Sequence, residues 1–265
     1  MAPLSITFLS DYGLRDEFVG VVHAVIAHEC PGARVVDLSH GVPRQAVLAG
    51  ALMLARALPY ATPGVHLAVV DPEVGARRRA IALRTAEEER LLVGPDNGLL
   101  IPAAMRFGGI AEAVEISHSP WRLEPVSATF HGRDLFAPVA ARLAGGEALA
   151  DAGTPVEPGE LVALDLPQPR QEDGALVAHV MVVDGFGNVQ LDASPSDLAG
   201  RLGHTVEVGD DRDARYLRTF ADAEPGELLL YEDAAGMLAL AVNGGEAVAE
   251  LGDLEPGDEV RLAAK

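Results

Sequence analysis

Lysine is almost absent from this chain. Lys265 is the only lysine among 265 residues. A Walker-type phosphate loop and a Schiff-base enzyme each depend on a lysine within the folded site, so the sequence argues against both classes. Positive charge in a functional site must therefore come from arginine or histidine.

Cysteine and basic residues are also scarce. Cys30 is the only cysteine, so the chain forms no internal disulfide and no thiolate cluster for zinc or iron–sulfur. Acidic residues outnumber basic ones 40 to 20, which gives a formal net charge of −20. Nucleic acids and anionic membranes attract basic surfaces, so neither is an expected partner.

Long apolar segments and a leader-like start are missing as well. The apolar stretch 46–70 is interrupted by an arginine, two prolines and a histidine, which is atypical of a membrane span. Residues 1–10 lack a basic start and meet Asp11 at once, which is atypical of a signal peptide. With the single cysteine, these features predict a cytoplasmic protein.

A regular alternation of elements is present in the first half. Apolar periodicity predicts strand, helix, strand, helix, strand, which is typical of an α/β domain whose parallel sheet is covered by helices on both faces. A hairpin and a further helix should follow. The predicted strands are 4–10, 33–39 and 65–71, the helices 18–29, 44–59 and 137–143, and the hairpin arms 79–85 and 90–98.

The composition changes near residue 155. Residues 155–174 are rich in proline, glycine and acids, as interdomain linkers often are. Short apolar runs separated by turns then predict a small antiparallel β-domain. We therefore predict an α/β domain over 1–165 and a smaller β-domain over 166–265. The runs are 175–184, 204–209, 226–233, 236–243 and 258–264.

Three predicted strands of the first domain end in polar residues, at Asp11, His40 and Asp71. Ligands bind at the carboxyl ends of strands in open α/β sheets. An acid at one strand end is often only a turn or cap, but three at one sheet edge favour a site. After Asp71 the stretch "VVDPEVGARRR" carries three arginines, which indicate either a solvated loop or half of a catalytic site.

Three further motifs allow a structural or a functional interpretation. "PDNGLL" is a turn signature. In "TFHGRDLF", His131 precedes Gly132 at a predicted helix start, where the helix dipole would lower the imidazole pKa and keep it neutral, as a base must be. The adjacent Arg133 and Asp134 are best interpreted as a local ion pair or a cap. "VDGFGN" is either a hairpin turn or an aromatic platform built on Phe186.

Together these stretches resemble the S-adenosylmethionine hydroxide adenosyltransferases, relatives of the bacterial fluorinase and chlorinase. The motifs occur in the family's order and span nearly the whole chain. The matching stretches are "SDYGLRDEFVG" from residue 10, "VVDPEVGARRRAI" from 69, "GPDNGLL" from 94, "TFHGRDLFAPVAA" from 129, "VDGFGN" from 183 and "LAVNGG" from 240.

The resemblance implies a fold, an assembly and a reaction. It implies an α/β N-terminal domain, a smaller C-terminal β-barrel-like domain, and a homotrimer whose sites lie between the N-domain of one chain and the C-domain of the next. The implied reaction splits S-adenosylmethionine with water into adenosine and methionine, with no cofactor and no metal. Asp71, Arg78 and His131 resemble the residues that handle the water.

The resemblance also implies substrate contacts. Asp11 resembles the carboxylate that holds the ribose hydroxyls, and Asp16 the one near the methionine amine. Phe130 and Phe186 would border the substrate. Asp184 and Asn188 resemble methionine or adenine contacts, and Asn243 resembles the region that receives adenine. Two departures concern function: Ala234 and Ala235 replace serines near the methionine carboxylate, and the short "TAEEER" turn lacks the fluorinase insertion.

The chemistry leaves several alternatives open. A sulfonium leaves as a neutral thioether, so the enzyme must mainly position and activate water. Either His131, oriented by Asp71, or the pair of Asp71 and Arg78 could remove the proton. The rival functions are an S-adenosylmethionine-dependent halogenase, a metal-dependent hydrolase and a non-catalytic nucleoside-binding protein. Asp11, Asp71, Asp96 and His131 would be the ligands of such a metal.

Overall fold

The computed structural model describes residues 5–198, 204–209 and 211–265. The chain divides into two compact units, Met1–Leu164 and Asp165–Lys265, called here the N-terminal and C-terminal units. The predicted start of the first strand, Leu4, lies outside the described residues. Among these residues, no helix combines the length and apolar composition that crossing a membrane needs.

A mixed sheet of seven strands forms the N-terminal unit. Its strand order is β2-β1-β3-β5-β4-β6-β7. Strands β2, β1, β3 and β5 run parallel, and β4, β6 and β7 add antiparallel neighbours. The elements are β1 Ser5–Ser10, α1 Phe18–Glu29, β2 Arg34–Ser39, α2 Val47–Ala57, β3 Val65–Val69, β4 Ala80–Thr85, β5 Leu91–Pro95, α3 Ile101–Met105, β6 Ile110–Glu115, α4 Ala137–Ala144 and β7 Thr154–Pro155.

The apolar pattern explains these elements. All five residues of the central strand β3 are buried, as expected of a strand covered on both faces. Helix α1 buries Val19, Val22 and Ile26, which share one face at the helical period. Helix α1 packs against α4, and α2 packs against α3. The predicted α/β class and the hairpin of β4 and β5 are confirmed.

The strand order places a ligand crevice at the middle of the sheet. The chain leaves β1 toward β2 on one side and leaves β3 toward β5 and β4 on the other. Neighbouring strands whose connections diverge open a crevice at their carboxyl ends. Since Ser10 pairs with Val69, the segments beginning at Asp11 and at Asp71 lie at this same position.

A closed seven-stranded β-barrel forms the C-terminal unit. The order is β10-β14-β13-β12-β11-β15-β9, closed by the pairing of β9 with β10, and β8 extends β9. The predicted barrel is confirmed. All pairs are antiparallel except β12 with β13. The elements are β8 Arg170–Glu172, β9 Ala175–Val183, β10 Val189–Leu191, β11 Thr205–Val208, β12 Arg212–Tyr216, β13 Leu228–Glu232, β14 Leu238–Val242, α5 Ala247–Glu250 and β15 Glu259–Ala264.

Candidate functional site

Arg78 links Asp71 and His131 beyond the end of β3. Its Nε donates to Asp71 Oδ1 at 2.9 Å, and its Nη2 donates to Asp71 Oδ2. The same Nη2 donates to His131 Nδ1 at 2.9 Å. The guanidinium carbon lies 5.3 Å from the centroid of the Phe136 ring. Because the Arg78 and Asp71 side chains are only 4% and 5% exposed, this is a buried bidentate ion pair.

Gly75 brings the two loops of this site together. Its φ of +78° is a left-handed conformation that glycine adopts without strain. A Cβ on Gly75 would also overlap the carbonyl oxygen of Ala128. The glycine of "DPEVGARRR" therefore lets the loop after β3 lie directly on the segment before His131, which places Arg78 within reach of the imidazole.

The hydrogen bond from Arg78 fixes the tautomer of His131. A guanidinium only donates, so Nδ1 of His131 must accept, and the proton of the neutral ring is on Nε2. Burial, and then the positive charge of Arg78, lower the pKa of His131. The expectation of a neutral imidazole agrees with this direction, but the two causes are burial and the guanidinium.

The structure corrects one expected contact. Asp71 does not orient His131 directly, because the guanidinium of Arg78 lies between them. Of the three consecutive arginines, only Arg78 contacts both residues: Arg77 is exposed, and Arg79 donates from Nε to Asp96 Oδ2 at 2.8 Å. The chain therefore forms a row of carboxylate, guanidinium and imidazole.

Asp11 lies beside this row in the crevice between β1 and β3. Its backbone N–H donates to the carbonyl of Val69 at 3.4 Å, and its Oδ2 accepts from the N–H of Gln45 at 3.0 Å. His40, which directly follows β2, supports this loop through its carbonyl, which accepts from the N–H of Gly13 at 2.8 Å. The structure thus brings Asp11, Asp71, Arg78 and His131 to one edge of the sheet.

An aromatic cluster lies next to the row. The ring centroid of Tyr12 is 5.9 Å from those of Phe18 and Phe130, which are 5.1 Å apart. Burial, followed by the charges of Asp11 and Asp71, raises the pKa of Tyr12, so its hydroxyl keeps its proton. Asp16 lies in the exposed loop between Tyr12 and Phe18. Sequence reasoning missed Tyr12, although it lies within the matched motif.

Polar side chains of the "PDNGLL" and "TFHGRDLF" motifs hold the local backbone or pair with each other. Asn97 donates from Nδ2 to the carbonyl of Val70 at 2.9 Å, which supports the chain just before Asp71. Arg133 pairs with Asp134, with Nε 2.6 Å from Oδ1. This confirms the interpretation as a local ion pair. Residues Gly132–Phe136 form a π-helical turn before α4, and such turns are frequent at functional sites.

In the C-terminal unit, the "VDGFGN" loop holds an exposed aromatic ring. Asp184 Oδ1 accepts from the N–H groups of Phe186 and Asn188 at 2.8 and 3.0 Å, and its Oδ2 accepts from Asn188 Nδ2 at 2.9 Å. Asp184 and Asn188 therefore bind each other and shape the loop. Phe186 lies at the tip of this loop and is 80% exposed, which makes its ring available to a ligand or another chain.

A second aromatic group of the C-terminal unit escaped the sequence analysis. The rings of Phe220 and Tyr231 have centroids 5.0 Å apart. Burial, and then the charges of Asp184 and Asp233, raise the pKa of Tyr231 to about 12. The carboxylates of two loops thus lie near this phenol. Only their position in the folded barrel relates Tyr231 to Asp184, since the residues are distant in sequence.

The remaining predicted contacts of the C-terminal unit lie in turns. Asn243 donates from Nδ2 to the carbonyl of Ala223 at 2.7 Å. Near the substituted serines, the N–H groups of Ala235 and Met237 donate to Asp233 Oδ1 at 2.8 and 3.0 Å. These two donors are already used within the turn, so they are poorly placed to receive a methionine carboxylate.

The four residues that the sequence offers as metal ligands, Asp11, Asp71, Asp96 and His131, do not form one group. Asp71 is bound by Arg78, Asp96 is bound by Arg79, and Asp11 accepts from a backbone N–H. In the described ranges, these residues and His131 do not supply three converging ligand atoms. The geometry favours a site that works through charge and hydrogen bonds.

Comparison with known proteins identifies the family. The model of the SAM hydroxide adenosyltransferase N-terminal domain matches residues 6–153, and that of the C-terminal domain matches residues 178–261. The chain belongs to the SAM hydroxide adenosyltransferase family. The resemblance drawn from the motifs is therefore confirmed.

Relatives of this family member are similar over most of their length. An (R)-S-adenosyl-L-methionine hydrolase of Salinispora tropica is 52% identical over 265 residues, covering 100% of both chains. A fluorinase of Actinoplanes sp. is 29% identical over 90% of each chain. A crystal structure of an uncharacterized conserved protein from Thermotoga maritima is 36% identical, with a TM-score of 0.88 over 97% of this chain and 99% of the other.

Proposed function

We propose that this chain hydrolyses S-adenosyl-L-methionine to adenosine and L-methionine. The observation that carries the proposal is the row of Asp71, Arg78 and His131 at the crevice of the sheet, in a chain 52% identical over its full length to a protein named for this reaction. The fluorinase shares less of the sequence, at 29% identity. Hydrolysis is therefore preferred to halogenation.

The proposed step is an in-line displacement at C5′ of the adenosyl group. The oxygen of water forms a bond to C5′ while the C5′–S bond breaks. The electron pair of the broken C5′–S bond stays on sulfur as methionine departs. Positioning water against that carbon can supply roughly 7–11 kcal/mol. The thioether leaves uncharged, so the site needs no acid, and we propose that it needs no cofactor.

The tautomer of His131 assigns its part in this step. With the proton on Nε2, the imidazole is a donor at that nitrogen and cannot take a proton there in this state. We therefore assign to His131 Nε2–H and Arg78 the binding of the attacking oxygen. The water proton then passes to Asp71, since attack on C5′ makes that oxygen far more acidic than a carboxylic acid.

Substrate binding is assigned to the groups around this row. Asp11 would bind the ribose hydroxyls, and Asp16 the methionine amine. Phe130 and Phe186 would border the substrate, with Asp184, Asn188 and Asn243 at the adenine or methionine end. We propose a cytoplasmic homotrimer, in which the C-terminal unit of one chain completes the N-terminal site of its neighbour.

The relatives' name also specifies a configuration. L describes the methionine carbon, so R describes the sulfonium sulfur, which is itself a stereocentre because it carries three different groups. We propose that this chain prefers the same R epimer. Comparing turnover of the two purified sulfonium epimers tests this point separately from the reaction type.

One assay distinguishes hydrolysis from halogenation and from binding without reaction. The protein is incubated with S-adenosyl-L-methionine in ¹⁸O-water, with chloride or fluoride present, and the products are separated. We expect labelled adenosine and methionine. Halogenated 5′-deoxyadenosine as the main product would favour the halogenase instead, and binding without products would favour a nucleoside-binding protein.

The neighbouring arginines provide a matched pair of variants. Arg78→Ala should lower kcat at least 100-fold with little change in substrate affinity, because its contacts act on water. Arg77→Ala removes the same charge from an exposed position and should keep near-normal turnover. Equal turnover in the two variants would contradict the role given to Arg78.

A further inference from the structure

A histidine–aspartate–histidine group lies at the edge of the N-terminal unit, outside the proposed catalytic row. His23 is on α1, Asp37 is on β2, and His40 directly follows β2. One ligand atom from each lies within 4.8 Å of the other two. Within the described part of the chain, it is the one group of three such side chains that converges in this way.

The distances suit a shared ion. His23 Nε2 is 2.8 Å and His40 Nε2 is 3.1 Å from the same oxygen, Asp37 Oδ1. Ligands about 2.0–2.1 Å from a tetrahedral zinc ion are separated by roughly 3.3 Å. Both distances to Asp37 Oδ1 lie within about half an ångström of that spacing, and the two histidine nitrogens lie within 4.8 Å of each other. Adjustment of the side chains would therefore bring the three atoms to three corners of such a site, with the fourth left to water.

The buried imidazole of His40 is separate evidence for an ion at this group. Its side chain is 3% exposed, and its Nε2 is buried without a hydrogen-bond partner although Asp37 is near. The carboxylate thus lies beside the ring nitrogen rather than along its lone pair or N–H direction. Leaving a buried polar atom unpaired costs about 1–3 kcal/mol, and a cation placed between the two residues would remove that cost.

The other ring nitrogen of His40 is already anchored. Nδ1 lies 2.8 Å from the hydroxyl oxygen of the fully buried Ser10. When Nδ1 donates to Ser10, the lone pair of Nε2 is free for a metal, as in sites where a further hydrogen bond orients the ligating histidine. The Phe8 ring packs against both imidazoles, with centroids 4.6 Å from His40 and 6.1 Å from His23, which restricts their rotation.

We propose that His23, Asp37 and His40 bind one divalent transition-metal ion, with zinc as the best match to two imidazoles and a carboxylate. The ion would join α1 to the end of β2. His40 also accepts, through its carbonyl, from Gly13 in the loop that carries Asp11. The ion therefore stabilises the fold next to the crevice and takes no part in the reaction.

The binding test uses Zn²⁺ and the full chain without a histidine tag, made metal-free by chelation. Equilibrium dialysis should show one tightly bound ion per chain, and Co²⁺ in its place should give the intense visible absorption of tetrahedral coordination. His23→Ala and Asp37→Asn should each weaken binding at least tenfold. Both side chains are about a third or more exposed, so these variants should fold.

His28→Ala is the matched control, since it removes an exposed histidine from the same helix. It should leave the affinity unchanged. Zn²⁺ should also raise the unfolding temperature of the parent protein and of His28→Ala, but not of His23→Ala. Absence of binding at micromolar free Zn²⁺, or equal binding by His23→Ala and His28→Ala, would overturn the proposal.

Discussion

The contact between Tyr12 and Gly132 shows how tightly single residues are fitted around the catalytic row. A Cβ on Gly132 would overlap the hydroxyl oxygen of Tyr12, and the next nearest atom, the ring carbon that bears this hydroxyl, would be 3.1 Å away. The tyrosine hydroxyl thus occupies the space that a side chain at position 132 would need. A side chain at position 132 would therefore require Tyr12 to move or to be replaced.

This contact predicts a compensating pair of variants. Gly132→Ala should destabilise the N-terminal unit by about 1–3 kcal/mol and lower kcat, because the added methyl group displaces Tyr12 or His131. Tyr12→Phe removes the clashing oxygen and should restore at least half of the lost stability in the double variant. Urea unfolding followed by Trp121 fluorescence measures this, since Trp121 is the only tryptophan and packs on the N-terminal core.

Gly20→Ala is the control for helix and glycine effects. Gly20 lies on α1 with no atom within 4 Å of its Cβ position, so alanine should be neutral or stabilising there by up to about 1 kcal/mol. A purely additive result for Tyr12→Phe and Gly132→Ala would mean that the two residues do not compete for space.

At the scale of the elements, β3 is tied to its neighbours by a buried histidine. His66 is fully buried, with Nδ1 2.8 Å from Thr7 Oγ1 on β1 and Nε2 3.2 Å from Nη1 of Arg90, which precedes β5. Since the guanidinium donates, Nε2 accepts and the ring is neutral. Burial, and then the charge of Arg90, lower the pKa of His66 to about 3.

The lowered pKa predicts a loss of stability in acid. The unfolded chain takes up a proton near the ordinary pKa of about 6.5, whereas the folded chain does not until about pH 3. The free energy of unfolding should therefore fall by about 1.4 kcal/mol for each pH unit below 6.5 through this residue alone. Urea unfolding at pH 6.5, 5.5 and 4.5, followed by Trp121, measures the slope.

His66→Gln removes this titration and supplies the comparison. The variant should be less stable at pH 7, because it disturbs the contacts to Thr7 and Arg90, but its stability should depend less on pH. Parallel pH profiles for the two proteins would show that His66 takes up its proton equally in both states.

The elements of the sheet could be predicted because their signals are local. The elements β1, α1, β2 and β3, which apolar periodicity predicts, are all present in the fold. The polar residues that follow the three strands lie at one edge of the sheet. The short strand β12 was not predicted, because "RDARY" is mostly charged and only two of its five residues are buried. The π-helical turn after His131 was also not predicted, since it has no apolar period of its own.

Residues of the site were harder to predict than its location. The resemblance to the family brought Asp71, Arg78 and His131 into one hypothesis, but the order of their side chains depends on loop geometry, including the close approach at Gly75. Tyr12 and Tyr231 were missed for a related reason. The contacts of Tyr12 with Phe130 and Gly132, and the proximity of Tyr231 to Asp184, join parts of the chain that are distant in sequence.

At the scale of the whole molecule, charge opposes the proposed assembly. Each chain carries −20, so three chains together carry three times −20, or −60. Long-range repulsion must then be offset by apolar contacts, and screening by salt should strengthen the trimer. Light scattering at low and moderate ionic strength should show a trimer whose dissociation is promoted by low salt. A monomer at concentrations that show full activity would contradict the proposed assembly.

Phe186 allows a test of the composite site. Phe186→Ser should raise KM at least tenfold if this exposed ring borders the substrate of a neighbouring chain, whereas Phe186→Tyr keeps the ring and should retain most of the affinity. An unchanged KM in Phe186→Ser would mean that the ring faces only solvent.

Closure of the C-terminal barrel has a consequence for aggregation. Among the described residues of this unit, the seven strands of the closed ring leave an unpaired edge only along the short strand β8, so they offer little template for strand pairing with other chains. The N-terminal sheet is open and ends in β2 and β7. Strand β7 has two residues and ends in Pro155, while β2 carries Arg34 and Asp37, and charge and proline at these edges oppose the growth of intermolecular sheets.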